Sequence, residues 1–137
     1  MKIVVDSYAW VELFIGGGKG MTVKEKLGEA EEVYTPDVVL AELARKYFRE
    51  GVDMDTLKMR LSMISGTSKI IPVDEEVAAR AAEIDHELRN KARMDKLREP
   101  SLIDAIILAV AEAHEALLVT GDEHFRGRPK TIWIGPP

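Results

Sequence analysis

Apolar residues fall into two kinds of run that alternate along the whole chain. The short runs are Lys2–Val5 (KIVV), Glu32–Thr35 (EVYT), Lys69–Val73 (KIIPV), Ala116–Thr120 (ALLVT) and Thr131–Ile134 (TIWI). Their length and β-branched content predict strands. Pro72 cannot donate to a ladder, so the third run belongs at a sheet edge. The longer runs repeat every three to four residues. Ser7–Ile15 carries Trp10, Leu13 and Phe14 on one side, a core-facing helix. Gly16, Gly17, Gly18 and Gly20 break it, and Thr22–Ala30 reads as a second, polar helix. Thr35 is placed to cap a helix that opens at Pro36, runs to about Glu50 and stops at Gly51. Asp53–Ser65 spaces Met54, Leu57, Leu61 and Ile64 as a helix does. Asp74 caps another, with Val77, Ala81, Ile84 and Leu88 as its stripe, while the charged stretch Arg89–Glu99 stays unassigned. Pro100 opens a last helix to about Glu115. Strands alternating with helices predict an α/β fold, a parallel sheet covered on both faces, with ligands beyond the carboxyl ends of the strands.

Four acids sit awkwardly in this pattern. Asp104 lies in LIDAIILAVA, a helix apolar nearly all round, where a carboxylate loses hydration and needs a partner. An ion pair or a place at a helix N-terminus would also satisfy it. Asp6 follows directly on the first strand, where it faces a ligand crevice or caps a helix. Asp122 repeats that position after ALLVT and Gly121, where a turn aspartate is the plain alternative. Glu42 is embedded in VVLAELA, with Arg45, Lys46 and Arg49 following on its face; taken alone, a surface laced with ion pairs is the better reading there. Taken together the four suggest one site. Like charges near 4 Å repel by about 4 kcal/mol at an effective dielectric near 20. Such a cluster therefore needs a proton or a cation. Oxygen ligands without thiolate favour Mg²⁺ or Mn²⁺, and the matching chemistry is metal-assisted phosphodiester hydrolysis.

Composition narrows the field. The 137 residues are of one-domain size and include no cysteine, which excludes disulfides, thiolate zinc sites and a cysteine nucleophile. No apolar run reaches membrane-span length, and Asp6 leaves no room for a signal sequence. A cytoplasmic protein is expected. The net charge of −5 speaks against nucleic acid only until the four acids are set aside, leaving 20 acids against 19 Lys and Arg. Arg89, Lys91, Arg93, Lys96 and Arg98 then form a local basic stretch. With Arg45, Lys46 and Arg49, the Arg89, Lys91 and Arg93 side chains are candidate RNA contacts. GGGKGM is not a phosphate loop, because Gly20 stands where Ser or Thr must follow Lys19. His86, His114 and His124 lack metal-ligand spacing and are expected at the surface. Met54, Met59 and Met63 are expected in the core and its rim, or lining a partner groove.

The segments IVVDSYAWVEL, VVLAELARKY, SLIDAIILAVAEAH and LLVTGDEHF, in this order and spacing, resemble the PIN-domain family, especially the short VapC-type ribonuclease toxins. The resemblance covers nearly the whole chain. It implies a single three-layer α/β/α sandwich over residues 1–137, around a mostly parallel sheet of four to five strands. It maps the family's metal-binding and catalytic acids onto Asp6, Glu42, Asp104 and Asp122. It implies Mg²⁺- or Mn²⁺-dependent endoribonuclease activity on single-stranded RNA regions, a small antitoxin partner and a homodimer. Thr120 falls on the polar residue of the family's T/S-x-D motif. Ser7 is similar to the small hydroxyl residue that often follows the first acid, and both hydroxyls are expected to orient carboxylates. Neither Glu123 nor Asp95 makes a good fifth acid. A PIN nuclease in RNA processing without an antitoxin, and a non-catalytic metal- or RNA-binding scaffold, stay open as alternatives.

Overall fold

The computed structural model describes residues 1–137. In chain order the elements are β1 (Lys2–Val5), α1 (Ser7–Ile15), α2 (Gly18–Glu29), β2 (Glu32–Pro36), α3 (Asp37–Arg49), α4 (Met54–Thr67), β3 (Lys69–Ile71), α5 (Glu75–Met94), α6 (Leu102–Ala113), β4 (Leu117–Thr120) and β5 (Thr131–Trp133). A single 3₁₀ turn, Glu123–Phe125, lies between β4 and β5. All five strands are parallel, in the order β3-β2-β1-β4-β5. The helices complete a three-layer α/β/α sandwich. Ile3, Val4 and Val5 are wholly buried, as a central parallel strand covered on both faces must be. No helix is long and apolar enough to cross a membrane.

The strand order matters for the site. From central β1 the chain moves outward to β2 and β3, then returns to place β4 on the other side of β1. The order therefore reverses between β1 and β4, and a crevice opens at their carboxyl ends. Asp6 and Asp122 follow those two strands.

Several boundaries differ from the expectations. The glycine run does not simply break the chain, because α2 begins at Gly18. Gly20 lies directly against the Glu12 carbonyl of α1, where a β-carbon would collide. Close packing of α1 on α2 thus outweighs poor helix propensity. Pro36 ends β2, and α3 opens at Asp37, so Thr35 is a buried strand residue and not a cap. Half of the charged stretch is helix: α5 continues to Met94 because Ala92 extends the buried stripe of Val77, Ala81, Ile84 and Leu88. Ser101, not Pro100, opens α6. β3 is an edge strand as expected, ending before Pro72. Trp10 is buried, with Leu13 and Phe14 partly buried against the core. Met54, Met59 and Met63 are not in the core: each is about half exposed on the outer side of α4.

Candidate active site

A cleft of about 540 Å³ lies at the carboxyl edge of the sheet, with Glu42, Asp104, Asp122 and His124 in its wall. Each is delivered by a local feature. Glu42 sits one turn into α3, beside the buried stripe Val39, Leu43 and Tyr47 that fixes the helix on the core. Asp104 is in the first turn of α6, in a reciprocal cap. Its Oδ2 accepts from the Ser101 backbone N–H at 2.9 Å, and its own N–H donates to the Ser101 hydroxyl at 3.2 Å. The cap fixes the carboxylate at the mouth of an otherwise apolar helix. Asp122 caps the 3₁₀ turn, with Oδ1 accepting from the His124 backbone N–H at 2.9 Å.

Asp6 stands behind this wall and is 2 % exposed. It caps α1, with Oδ1 accepting from Ala9 N–H at 2.9 Å. Its Oδ2 accepts from the Thr120 hydroxyl. That hydroxyl in turn accepts from the Asp122 N–H at 3.0 Å. Thr120 therefore ties the buried acid to the one in the cleft. Ser7 lines the cleft beside Glu42.

The family model for the PIN domain matches residues 3–130. The chain belongs to the PIN-domain family. Its fold is shared by a toxin–antitoxin complex from Klebsiella pneumoniae (TM-score 0.70, 22% identity, covering 96% of this chain and 97% of that one). It is also shared by VapBC2 from Rickettsia felis bound to a DNA fragment from its promoter (TM-score 0.67, 21% identity, 97% of each chain). A third is the Mycobacterium tuberculosis VapC20 toxin, described as cleaving the sarcin–ricin loop (TM-score 0.60, 22% identity, 82% of this chain and 83% of that one). Among curated proteins none matches the sequence.

The electrostatics of this PIN domain are strained by burial. Desolvation pushes the Asp6 carboxyl up to about 7, against hydrogen bonds from Thr120 and Ala9 that favour its ionised form, while Asp122 and Asp104 add to the rise. Asp104 is raised for the same first reason, burial, with Asp122 adding repulsion. Glu42 is raised by burial too, opposed by the Ser7 hydroxyl and Arg45. Its Oε1 is buried without any hydrogen-bond partner, a condition that costs about 1–3 kcal/mol or more for a charged group.

His124 is the residue that sequence reasoning missed. It is not at the surface but 4 % exposed. Its Nδ1 lies 2.7 Å from Asp122 Oδ1 and 3.9 Å from Asp104 Oδ2, and its Nε2 lies 2.8 Å from the Arg98 carbonyl. Burial alone would lower its pKa, yet the Arg98 carbonyl and the two carboxylates together raise it. With an acceptor oxygen at each ring nitrogen, the imidazolium form satisfies both. The available signal was its place two residues after a strand-end Asp. His114 is half-buried against Tyr34, and His86 is exposed beside Asn90.

One ligand atom each from Asp104, Asp122 and His124 lies within 4.8 Å of the others. His124 has both ring nitrogens on acceptor oxygens and so serves as a donor there, while the Asp104 and Asp122 carboxylates, with Glu42 in the same cleft wall, fit a hard divalent cation. Arg45, Lys46 and Arg98 line the cleft. Arg49 is exposed farther along α3, outside it. Arg89 is held by Asp85 at 2.9 Å and by Glu99, and Lys91 and Arg93 are exposed on the last turns of α5, none of them in the cleft wall. Of the basic stretch from Arg89 to Arg98, only Arg98 reaches the cleft wall.

Proposed function

We propose that the protein is a Mg²⁺- or Mn²⁺-dependent endoribonuclease that hydrolyses phosphodiester bonds in single-stranded RNA regions. The observation that carries this reading is the close approach of the Asp104 and Asp122 carboxylates, with Glu42 in the same wall of one open cleft at the switch point of the sheet. Asp104 and Asp122 are the residues that would hold the ion, with Glu42 either holding a second ion or serving as the base. A divalent cation supplies Lewis-acid polarisation of a phosphoryl oxygen and activates water near neutral pH.

The chain's own groups divide the remaining work. Glu42, with its carboxyl raised by burial, is suited to accept a proton from an attacking water. Asp6 has both oxygens engaged, so it acts from behind through Thr120, or reaches an ion through water. Arg45, Lys46 and Arg98 offer positive charge to the RNA backbone. The His124 imidazolium balances Asp122 and Asp104.

The similar structures of toxin–antitoxin complexes favour a toxin restrained by a small antitoxin, and a cytoplasmic homodimer is part of the same proposal. The test is cleavage of a mixed RNA pool by purified protein. Cutting is expected with Mg²⁺ or Mn²⁺, and is lost with EDTA and in Asp104→Asn, which keeps the shape and the cap. Cleavage that survives both treatments would end this reading.

A further inference from the structure

A second hollow of about 370 Å³ adjoins the acidic cleft and shares Tyr8, Arg98 and Asp122 with it. Its far side carries Trp133, Arg126 and Pro136. Of the eight aromatic residues in the chain, two thus stand beside the acids. Both are set close against backbone at a glycine. A β-carbon at Gly121 would collide with the Tyr8 ring, and one at Gly135 would collide with the Trp133 indole. Both rings are also held at their polar atoms. Lys19 Nζ donates to the Tyr8 hydroxyl at 2.7 Å, and Trp133 Nε1 donates to the Pro136 carbonyl at 2.9 Å. The exposed Arg126 guanidinium lies over the indole, 5.5 Å from its centroid. Arg98 faces Glu123 at 3.4 Å, which leaves Arg126 as the cation above the ring.

Aromatic rings held in place, an exposed guanidinium and a volume at the lower end for small-ligand sites make a stacking platform that shares a wall with the acidic cleft. Resting on the ribonuclease reading, we propose that this hollow holds a nucleobase of the substrate strand, stacked on Trp133. Arg126 then moves to cap the base or to meet the neighbouring phosphate. The shared wall of Tyr8 and Asp122 places that base beside the scissile bond, so Trp133 is a substrate-positioning residue.

The test measures binding apart from cleavage. All variants carry Asp104→Asn, and the probe is a fluorescein-labelled pool of mixed-sequence single-stranded RNA hexamers, followed by anisotropy at low salt. Trp133→Ala is expected to weaken binding about tenfold or more, since base stacking on an aromatic ring contributes that much. Trp133→Phe keeps a ring and should bind within about threefold of its parent. Arg126→Ala, a surface change that leaves the fold alone, should weaken binding and reduce the salt slope by about one. No binding by the parent, unchanged binding in Trp133→Ala, or equal losses in the Ala and Phe variants would overturn the proposal. With Asp104 restored and Mg²⁺ present, Trp133→Ala should raise KM more than it lowers kcat. The two readings fail separately. RNA cleavage with binding indifferent to Trp133 removes only the base site, whereas Trp133-dependent binding without cleavage removes only the nuclease.

Discussion

At the scale of single residues, the acids are held in an unfavourable state by burial, and that state depends on pH. Asp6 has a folded pKa of about 7 against an ordinary 3.8. The folded protein therefore keeps a proton that the unfolded chain releases. The resulting stability is complete below about pH 4 and is lost as pH rises through about 7. The shift corresponds to on the order of 4 kcal/mol, or roughly 15 °C for a domain of this size. Asp6→Asn keeps the α1 cap but cannot ionise. Melting curves in EDTA from pH 4 to 8 should show the parent losing that much more than Asp6→Asn. Parallel curves would mean that Asp6 is ionised throughout. His124 pushes in the same direction: its raised pKa favours the folded state below about 6.5 and less as pH rises past its folded value. The metal-free protein is thus expected to be most stable in mild acid.

At the scale of elements, acids of the candidate site double as helix caps. Asp6 caps α1, and Asp104 closes the cap of α6 with Ser101. This dual use explains why the sequence alone left capping and catalysis undecided at Asp6: both readings describe the same atoms. Strand runs such as KIVV and ALLVT were legible because a buried parallel strand is apolar on both faces. The glycines at the start of α2 were not, because the helix rests on Gly20 packing against the Glu12 carbonyl eight residues earlier and not on propensity. His124 was illegible for a similar reason, since its burial depends on Arg98, 26 residues distant. The cap also separates structure from function. Ser101→Ala removes the hydroxyl that receives the Asp104 N–H and should cost about 1 kcal/mol. Asp53→Ala, which unties the cap of α4 at Thr56, should cost a similar amount. Urea unfolding should show comparable losses for the two, while RNA cleavage should fall several-fold only in Ser101→Ala, where a metal-holding carboxylate is loosened. Equal activity in both would mean that Ser101 does not position Asp104.

At the scale of the whole molecule, the sheet order decides where charge accumulates. Because β4 returns to the side of β1 opposite β2, the acids after β1 and β4 share one crevice, and α3 and α6 add Glu42 and Asp104 across it. Four acids read as misplaced from the sequence are thereby drawn to one end of the molecule, with three in the cleft wall and Asp6 behind it. What the sequence could not convey is the compensation: a buried histidine set between two acids, and a Glu42 oxygen without a hydrogen-bond partner. A divalent ion that binds the folded crevice and not the unfolded chain must raise stability by mass action, by about 2.7 kcal/mol at a hundredfold excess over its Kd. Melting curves with increasing Mg²⁺, against NaCl at matched ionic strength, should show a rise specific to Mg²⁺ and reversed by EDTA. Asp104→Asn and Asp122→Asn should abolish the rise. Asp104→Asn should also melt no lower than the parent without metal, because it removes a raised carboxylate while its amide oxygen can still accept the Ser101 N–H. A marked drop there would instead identify Asp104 as half of a stabilising pair with His124, and a rise matched by NaCl would reduce the cation to ordinary screening.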